Sequence, residues 1–179
     1  IFQTGISQDY DLSMSGGTKD IRYYWSLGYL DNEGIIKGDV FSAIRSRLNL
    51  EGNITDWLKV GINSQYTLRD ESSVEVSLSY YDQMPPLSKP FDDDGAIRWY
   101  PNDYSIAYNP LLDYYGRDRI RKLNNFFAAI FTEIKLPFGF TWRTSFQPRI
   151  QNIKDYNFYN LNTITGASTY IGGYGQRTD

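Results

Sequence analysis

Ser13-Met-Ser-Gly-Gly-Thr-Lys-Asp-Ile-Arg-Tyr-Tyr-Trp-Ser-Leu-Gly-Tyr-Leu-Asp-Asn-Glu-Gly-Ile-Ile36 alternates, turns at Gly16-Gly17, and alternates again. Ile21, Tyr23, Trp25, Leu27 and Tyr29 fall on one side of its second arm; Arg22, Tyr24, Ser26 and Gly28 fall on the other. Period two is the mark of a strand with unlike faces. Which face is wet decides the fold. The large apolar side is either the core of a soluble sheet or the outside of a membrane barrel.

The same alternation predicts six strands: Tyr10 to Ser15, Ile21 to Leu30, Phe41 to Glu51, Trp57 to Arg69, Leu123 to Leu136 and Phe140 to Arg149. Several are about 10 residues or longer, against a usual 5–6 in globular sheets, and a tilted strand needs about 9–11 to cross a bilayer. The connections also sort by length. Those at Gly16–Asp20, Asn53–Asp56 and Leu136–Gly139 are tight; those at Asp31–Val40, Glu71–Lys122 and after Ile150 are long. Tight turns on one rim and long loops on the other describe an outer-membrane barrel. Trp57, Phe138, Phe140 and Trp142 flank the tight turns, where an aromatic girdle belongs. The fold expected is therefore all-β: an antiparallel transmembrane β-barrel segment, incomplete as a barrel, with one domain over residues 1–179 and a long extracellular loop over 71–122.

Composition narrows the chemistry. The chain has 179 residues, a net charge of −3, no Cys and no His. No basic surface suggests nucleic acid. Disulfides, Cys/His zinc sites and histidine bases are excluded, while carboxylate chemistry stays open. Aromatics make up 17% with 16 Tyr, as expected where an apolar body meets a wet tip: interfaces, sugar-binding surfaces and membrane girdles. No apolar run reaches the length of a spanning helix. Mean hydropathy is negative, an index blind to barrels because half of every barrel strand is polar. The chain begins at Ile1 with no basic region ahead of it, and reads as a fragment or a processed piece.

The polar side carries Arg45, Arg47, Lys59, Arg69 and Arg143, which face the lumen if the other side meets lipid and solvent if the sheet is an ordinary soluble one. The long loop carries Trp99, Tyr100, Tyr104 and Tyr108. These are candidates for stacking on a sugar or another ligand, or for packing the loop onto itself or a partner. Ser73 to Gln83 suits a short helix ended by Pro85. Phe91-Asp-Asp-Asp-Gly95 invites a calcium reading, but position twelve counted from Asp92 is Asp103 rather than Glu and the Gly comes early, so a turn is expected. Glu71, Asp92 and Asp94 are not set as a glycosidase pair. No catalytic residue, metal or cofactor is expected.

Leu12-Ser-Met-Ser-Gly-Gly17, Tyr24-Trp-Ser-Leu-Gly-Tyr-Leu-Asp-Asn-Glu-Gly-Ile-Ile36, Arg47-Leu-Asn-Leu50 and Asp56-Trp-Leu-Lys-Val-Gly61 together resemble the SusC/RagA-type TonB-dependent transporters of Bacteroidetes outer membranes. Pro85-Pro86, Asp94-Gly95 and Tyr108-Asn109-Pro110 resemble that family's long extracellular loop. The resemblance implies a large barrel closed by a plug, a SusD-like surface lipoprotein lid, energy from TonB, and import of bulky glycans or peptides. This chain is similar to the barrel just after the plug, and carries neither plug nor TonB box. The contrasting expectation is a soluble carbohydrate-binding β-sandwich, with shorter strands and a dry face covered by a second sheet.

Overall fold

The computed structural model describes residues 1–102, 107–169 and 173–178. Eight antiparallel strands form one sheet: β1 (Ile6–Gly17), β2 (Ile21–Glu33), β3 (Val40–Asn53), β4 (Leu58–Asp70), β5 (Arg117–Lys135), β6 (Thr141–Phe146), β7 (Arg149–Tyr159) and β8 (Tyr174–Thr178). Neighbours in sequence are neighbours in space, except that β5 pairs both β6 and β7. The sheet is open, with β1 at one edge, and no second sheet covers it among the described residues. The helices α1 (Leu78–Tyr81), α2 (Leu112–Gly116) and α3 (Ile164–Thr169) all lie in the long connections. At the opposite rim, Thr18 Oγ1 accepts from the Asp20 and Ile21 amides, Thr55 Oγ1 accepts from the Leu58 amide, and a single 3₁₀ turn at Pro137–Gly139 joins β5 to β6.

All six expected strands are present, and most run longer than expected: β1 begins at Ile6 rather than Tyr10, and β2 reaches Glu33 rather than Leu30. β5 begins at Arg117 rather than Leu123, so the long loop spans 71–116 rather than 71–122. The expected helix over Ser73–Gln83 is only the single turn α1, with no side-chain cap at Ser77. The sixth strand does not stop at Arg149. Phe146 lies opposite Ile130 and Ile150 opposite Phe126, so β6 and β7 keep one register across Gln147-Pro148. Pro148 has no N–H to give and breaks the ladder there, but its carbonyl accepts from Ala128 N at 3.1 Å. The strand then runs to Tyr159 and carries β8 at its far end. Its upper half, Gln151-Asn-Ile-Lys-Asp-Tyr-Asn, mixes polar residues on both faces and hides the period.

The buried residues are not where a soluble sheet would hold them. Val76, Pro101, Ala107, Asn109, Leu111 and Leu112 are buried in the long loop, and Thr163 in the last one. Within the sheet the buried positions are small, such as Gly28, Ala43, Gly61 and Ala128, with one large ring, Phe131. Gly61 explains that ring. A Cβ there would stand 2.4 Å from the Phe131 edge, and the Arg143 guanidinium covers the ring at 4.6 Å. Gly61→Val displaces Phe131 and lowers the stability of the folded full-length barrel by about 1–3 kcal/mol, measured as a drop in its unfolding temperature.

Candidate functional site

Register sorts the side chains onto two faces. Across β1 to β5, Met14, Trp25, Leu48, Ser64 and Ala128 lie in one row; Tyr23, Leu50, Ile62 and Ile130 lie in another, which Phe146 of β6 extends. Tyr10, Leu12, Tyr29, Ile44, Tyr66 and Phe126 complete this apolar face, and most of its large side chains are exposed. A soluble monomer rarely exposes an apolar patch of this extent. From Leu58 to Leu68 the band covers ten steps of β4. At about 3.4 Å per residue and a tilt of about 40°, that is a height near 25 Å, the span of an outer-membrane barrel's apolar belt. Above it, still on this side, stand Lys122 and Asp70 with their charges 3.4 Å apart, then Lys154. Below it, Trp57, Phe140 and Trp142 are exposed beside the tight turns, and Phe138 is 97% exposed on a left-handed backbone, φ 65°.

The opposite face carries all five cations singled out in the sequence, Arg45, Arg47, Lys59, Arg69 and Arg143. Arg45 bonds Asp9 and lies 3.7 Å from Asp11, reaching across Gly28, where a Cβ would collide with Asp11. Lys59 and Arg22 share Glu51 at 3.0 and 3.8 Å. Arg69 meets Glu71 at 2.6 Å and lies over Phe41. Arg143 lies over Phe131, opposite Glu133 in register. Arg47 has no carboxylate partner among the described residues. These exposed pairs each contribute little to stability; their consequence is a polar wall, locally neutralised.

Sequence reasoning missed the upper part of this face. Arg117, Arg119 and Arg121 of β5 line it beside β7. Arg121 lies 3.4 Å from Glu71 and 3.8 Å from Asp155, Arg119 lies 3.9 Å from Asp155, and Arg117 Nη2 donates to Asn157 Oδ1 at 2.7 Å. The alternation Arg-Asp-Arg-Ile-Arg was visible, but it has charge where a strand search looks for apolar residues.

The long loop is a packed unit. Tyr108 stacks on Tyr100 at 5.3 Å and meets Trp99 and Tyr80 edge-on. The loop aromatics Trp99, Tyr100 and Tyr108 are thus half-buried against one another; Tyr104 lies outside the described residues. Asn109, 1% exposed, holds the loop: its Nδ2 donates to the Pro90 and Arg98 carbonyls, both at 2.8 Å, and its Oδ1 accepts from Leu111 N. Asp92–Gly95 is a turn, Gly95 N donating to Asp92 O with φ 81° at the glycine.

Burial pushes the Asp113 carboxyl above its ordinary 3.8, and Arg117 only partly opposes this. A raised folded value means the protonated acid suits the folded loop: its contribution is full below about pH 3.8 and is lost as pH rises through the folded value. Asp113→Asn therefore protects the loop from amide exchange at pH 7 relative to the parent. The difference shrinks as pH falls toward 4, read by hydrogen exchange at both pH values.

No family model matches the chain. It is 30% identical over 168 residues, 88% of its length, to a TonB-dependent receptor of Formosa agariphila. It is 39% identical over 67 residues, 37% of its length, to the TonB-dependent receptor SusC of Bacteroides thetaiotaomicron. The chain spans 15% and 7% of the lengths of these curated relatives. A solved structure of the RagAB peptide importer in a "closed-closed" state superposes over 88% of the chain and 19% of its own, with TM-score 0.69 and 25% identity.

Proposed function

The chain belongs with the SusC/RagA-type TonB-dependent receptors, matching one segment of their barrel, and we propose that it forms part of the wall of an outer-membrane active transporter for bulky nutrients. The observation that carries this reading is the two-faced sheet. A belt about 25 Å tall of exposed apolar side chains backs directly onto a charged face, and lipid outside with water inside satisfies both. Arg45, Arg47, Lys59, Arg69 and Arg143 then face the lumen or a plug within it. Trp99, Tyr100 and Tyr108 shape the extracellular mouth, where with Tyr104 they contact substrate or a SusD-like lipoprotein lid. The imported class is glycans or oligopeptides; the likeness to RagAB, a peptide importer, favours the peptide arm. TonB supplies energy through parts outside this chain.

The test is uptake by cells carrying the full-length receptor. Labelled oligopeptides and oligosaccharides are offered with and without TonB and with and without the partner lipoprotein. Import of one class that stops when TonB is deleted supports the reading. A receptor recovered in the soluble fraction, or uptake of neither class, ends it.

A further inference from the structure

One row of the polar face differs from those around it. Ser13, Ser26, Arg47, Gln65, Phe127 and Arg149 lie opposite one another across β1, β2, β3, β4, β5 and β7. The row above holds Asp11, Gly28, Arg45, Thr67, Asn125 and Gln151, and there the arginine is neutralised by Asp9 and Asp11. The row below holds Asn49, Asn63 and Ala129. Arg47 and Arg149 are exposed and have no carboxylate partner among the described residues. They stand three strand spacings apart, about 14 Å. Between them Phe127 is 40% exposed, an apolar ring on the polar side. Two hollows of about 300 and 270 Å³ open along this row, one lined by Asp11, Arg45 and Arg47, the other by Thr67, Asn125 and Arg149; both are walled by Gln65 and so form one groove.

We propose that this groove binds an extended anionic oligomer, with one carboxylate on Arg47, another on Arg149, and the stretch between them lying over Gln65 and Phe127. Guanidinium forks suit carboxylates because two parallel N–H groups meet two oxygens. The amide of Gln65 serves the polar groups between, and the Phe127 ring gives an apolar floor to a side-chain stem or a sugar ring. Elsewhere on this wall Arg22, Arg45, Lys59 and Arg69 each have an acid beside them and Arg143 lies over the Phe131 ring, so among these cations Arg47 and Arg149 are the positions that select for charge. The inference deepens the transporter reading and rests on it for access to the groove from the lumen.

Equilibrium binding to the purified full-length receptor tests it, with a hexaglutamate peptide, an oligogalacturonate, and a neutral peptide and a neutral glucan of matched length. The parent binds one anionic probe more tightly than its neutral match, and more weakly as salt rises; which anionic probe it is identifies the source. Arg47→Gln and Arg149→Gln each weaken that binding by about tenfold, Arg→Lys at either site restores part of it, and the neutral probes do not change. Lys154→Gln, the same charge loss on the other side of the sheet, leaves binding as in the parent. Equal binding of anionic and neutral probes by the parent overturns the proposal, as does anion binding that survives both substitutions. A parent blind to anions whose barrel is destabilised by the double variant also overturns it, because acids of the same receptor then already occupy the groove. Anion binding without TonB-dependent uptake would instead refute the transporter reading and leave the groove standing.

Discussion

Ile130→Arg in the full-length receptor lowers the stability of the inserted barrel by about 2–4 kcal/mol, the cost of a cation on the lipid face at mid-bilayer. Ile130 is 45% exposed and pairs with Ile62 and Phe146 near the middle of the apolar belt. Ile62→Arg has the same effect. Asn63→Arg, one residue further along β4, turns to the other face and stays within about 0.5 kcal/mol of the parent. The contrast between adjacent positions is the measurement: unfolding free energy in detergent or lipid bilayers for the three variants. Equal costs at Ile62 and Asn63, or no cost at Ile130, would show that the apolar face does not meet lipid.

Asn109→Ala unfolds the outer loop while sparing the wall. The side chain donates to two part-buried carbonyls and accepts from one buried amide; with Ala the Leu111 amide loses its acceptor and each carbonyl loses one donor, Pro90 O keeping the Arg98 amide at 3.0 Å. An unsatisfied buried group costs about 1–3 kcal/mol and a lost hydrogen bond about 1 kcal/mol, so the local loss is about 2–4 kcal/mol once the loop relaxes. The loop's buried residues Val76, Ala107, Leu111 and Leu112 lie outside the ladder, and its ties to the rest of the chain include Val76 N to Lys37 O and Ser73 to Val40, so the part that Asn109 holds can open while β4 and β5 stay paired. Limited proteolysis of the intact receptor should find new cleavage within residues 72–116 of the variant, with the barrel's unfolding temperature almost unchanged. Asn109→Asp, which keeps the acceptor for Leu111 but loses both donors, falls between the two.

Both sites bear on what alternation reveals. Along the belt the two faces differ, apolar on one side and polar on the other, as lipid and water would require, so Ile44, Leu48, Ile62 and Ile130 announce their face. Above the belt both faces meet water and the signal fades. Lys122 and Lys154 stand opposite each other on the outer side, and Arg121 faces Asp155 on the inner. For that reason Arg117–Lys122 and Gln151–Tyr159, loop by their alternation, are strand. Pro148 adds a local break that the retained register overrides. The five polar-face cations were legible from parity alone. Their partners were not, because Asp9 reaches Arg45 only through the pairing of three strands. Asn109 sits inside a recognisable motif, but nothing in a sequence distinguishes a buried amide holding two carbonyls from an exposed one in a turn. The loop tyrosines likewise do not show in sequence which ring meets which until Tyr100 and Tyr108 are placed.

The order of pairing sets how the segment can fold and vary. Every strand pairs with a neighbour in the chain, so no segment has to be threaded and each hairpin can add to the one before it. The single large excursion, between β4 and β5, is closed by an entropy that grows only with the logarithm of its length. Doubling it costs about 0.6 kcal/mol. Because that excursion carries its own buried cluster, length and sequence can change there with little consequence for the ladder beneath. The excursion is thus a place where residues can be exchanged or inserted while the strands on either side keep their register.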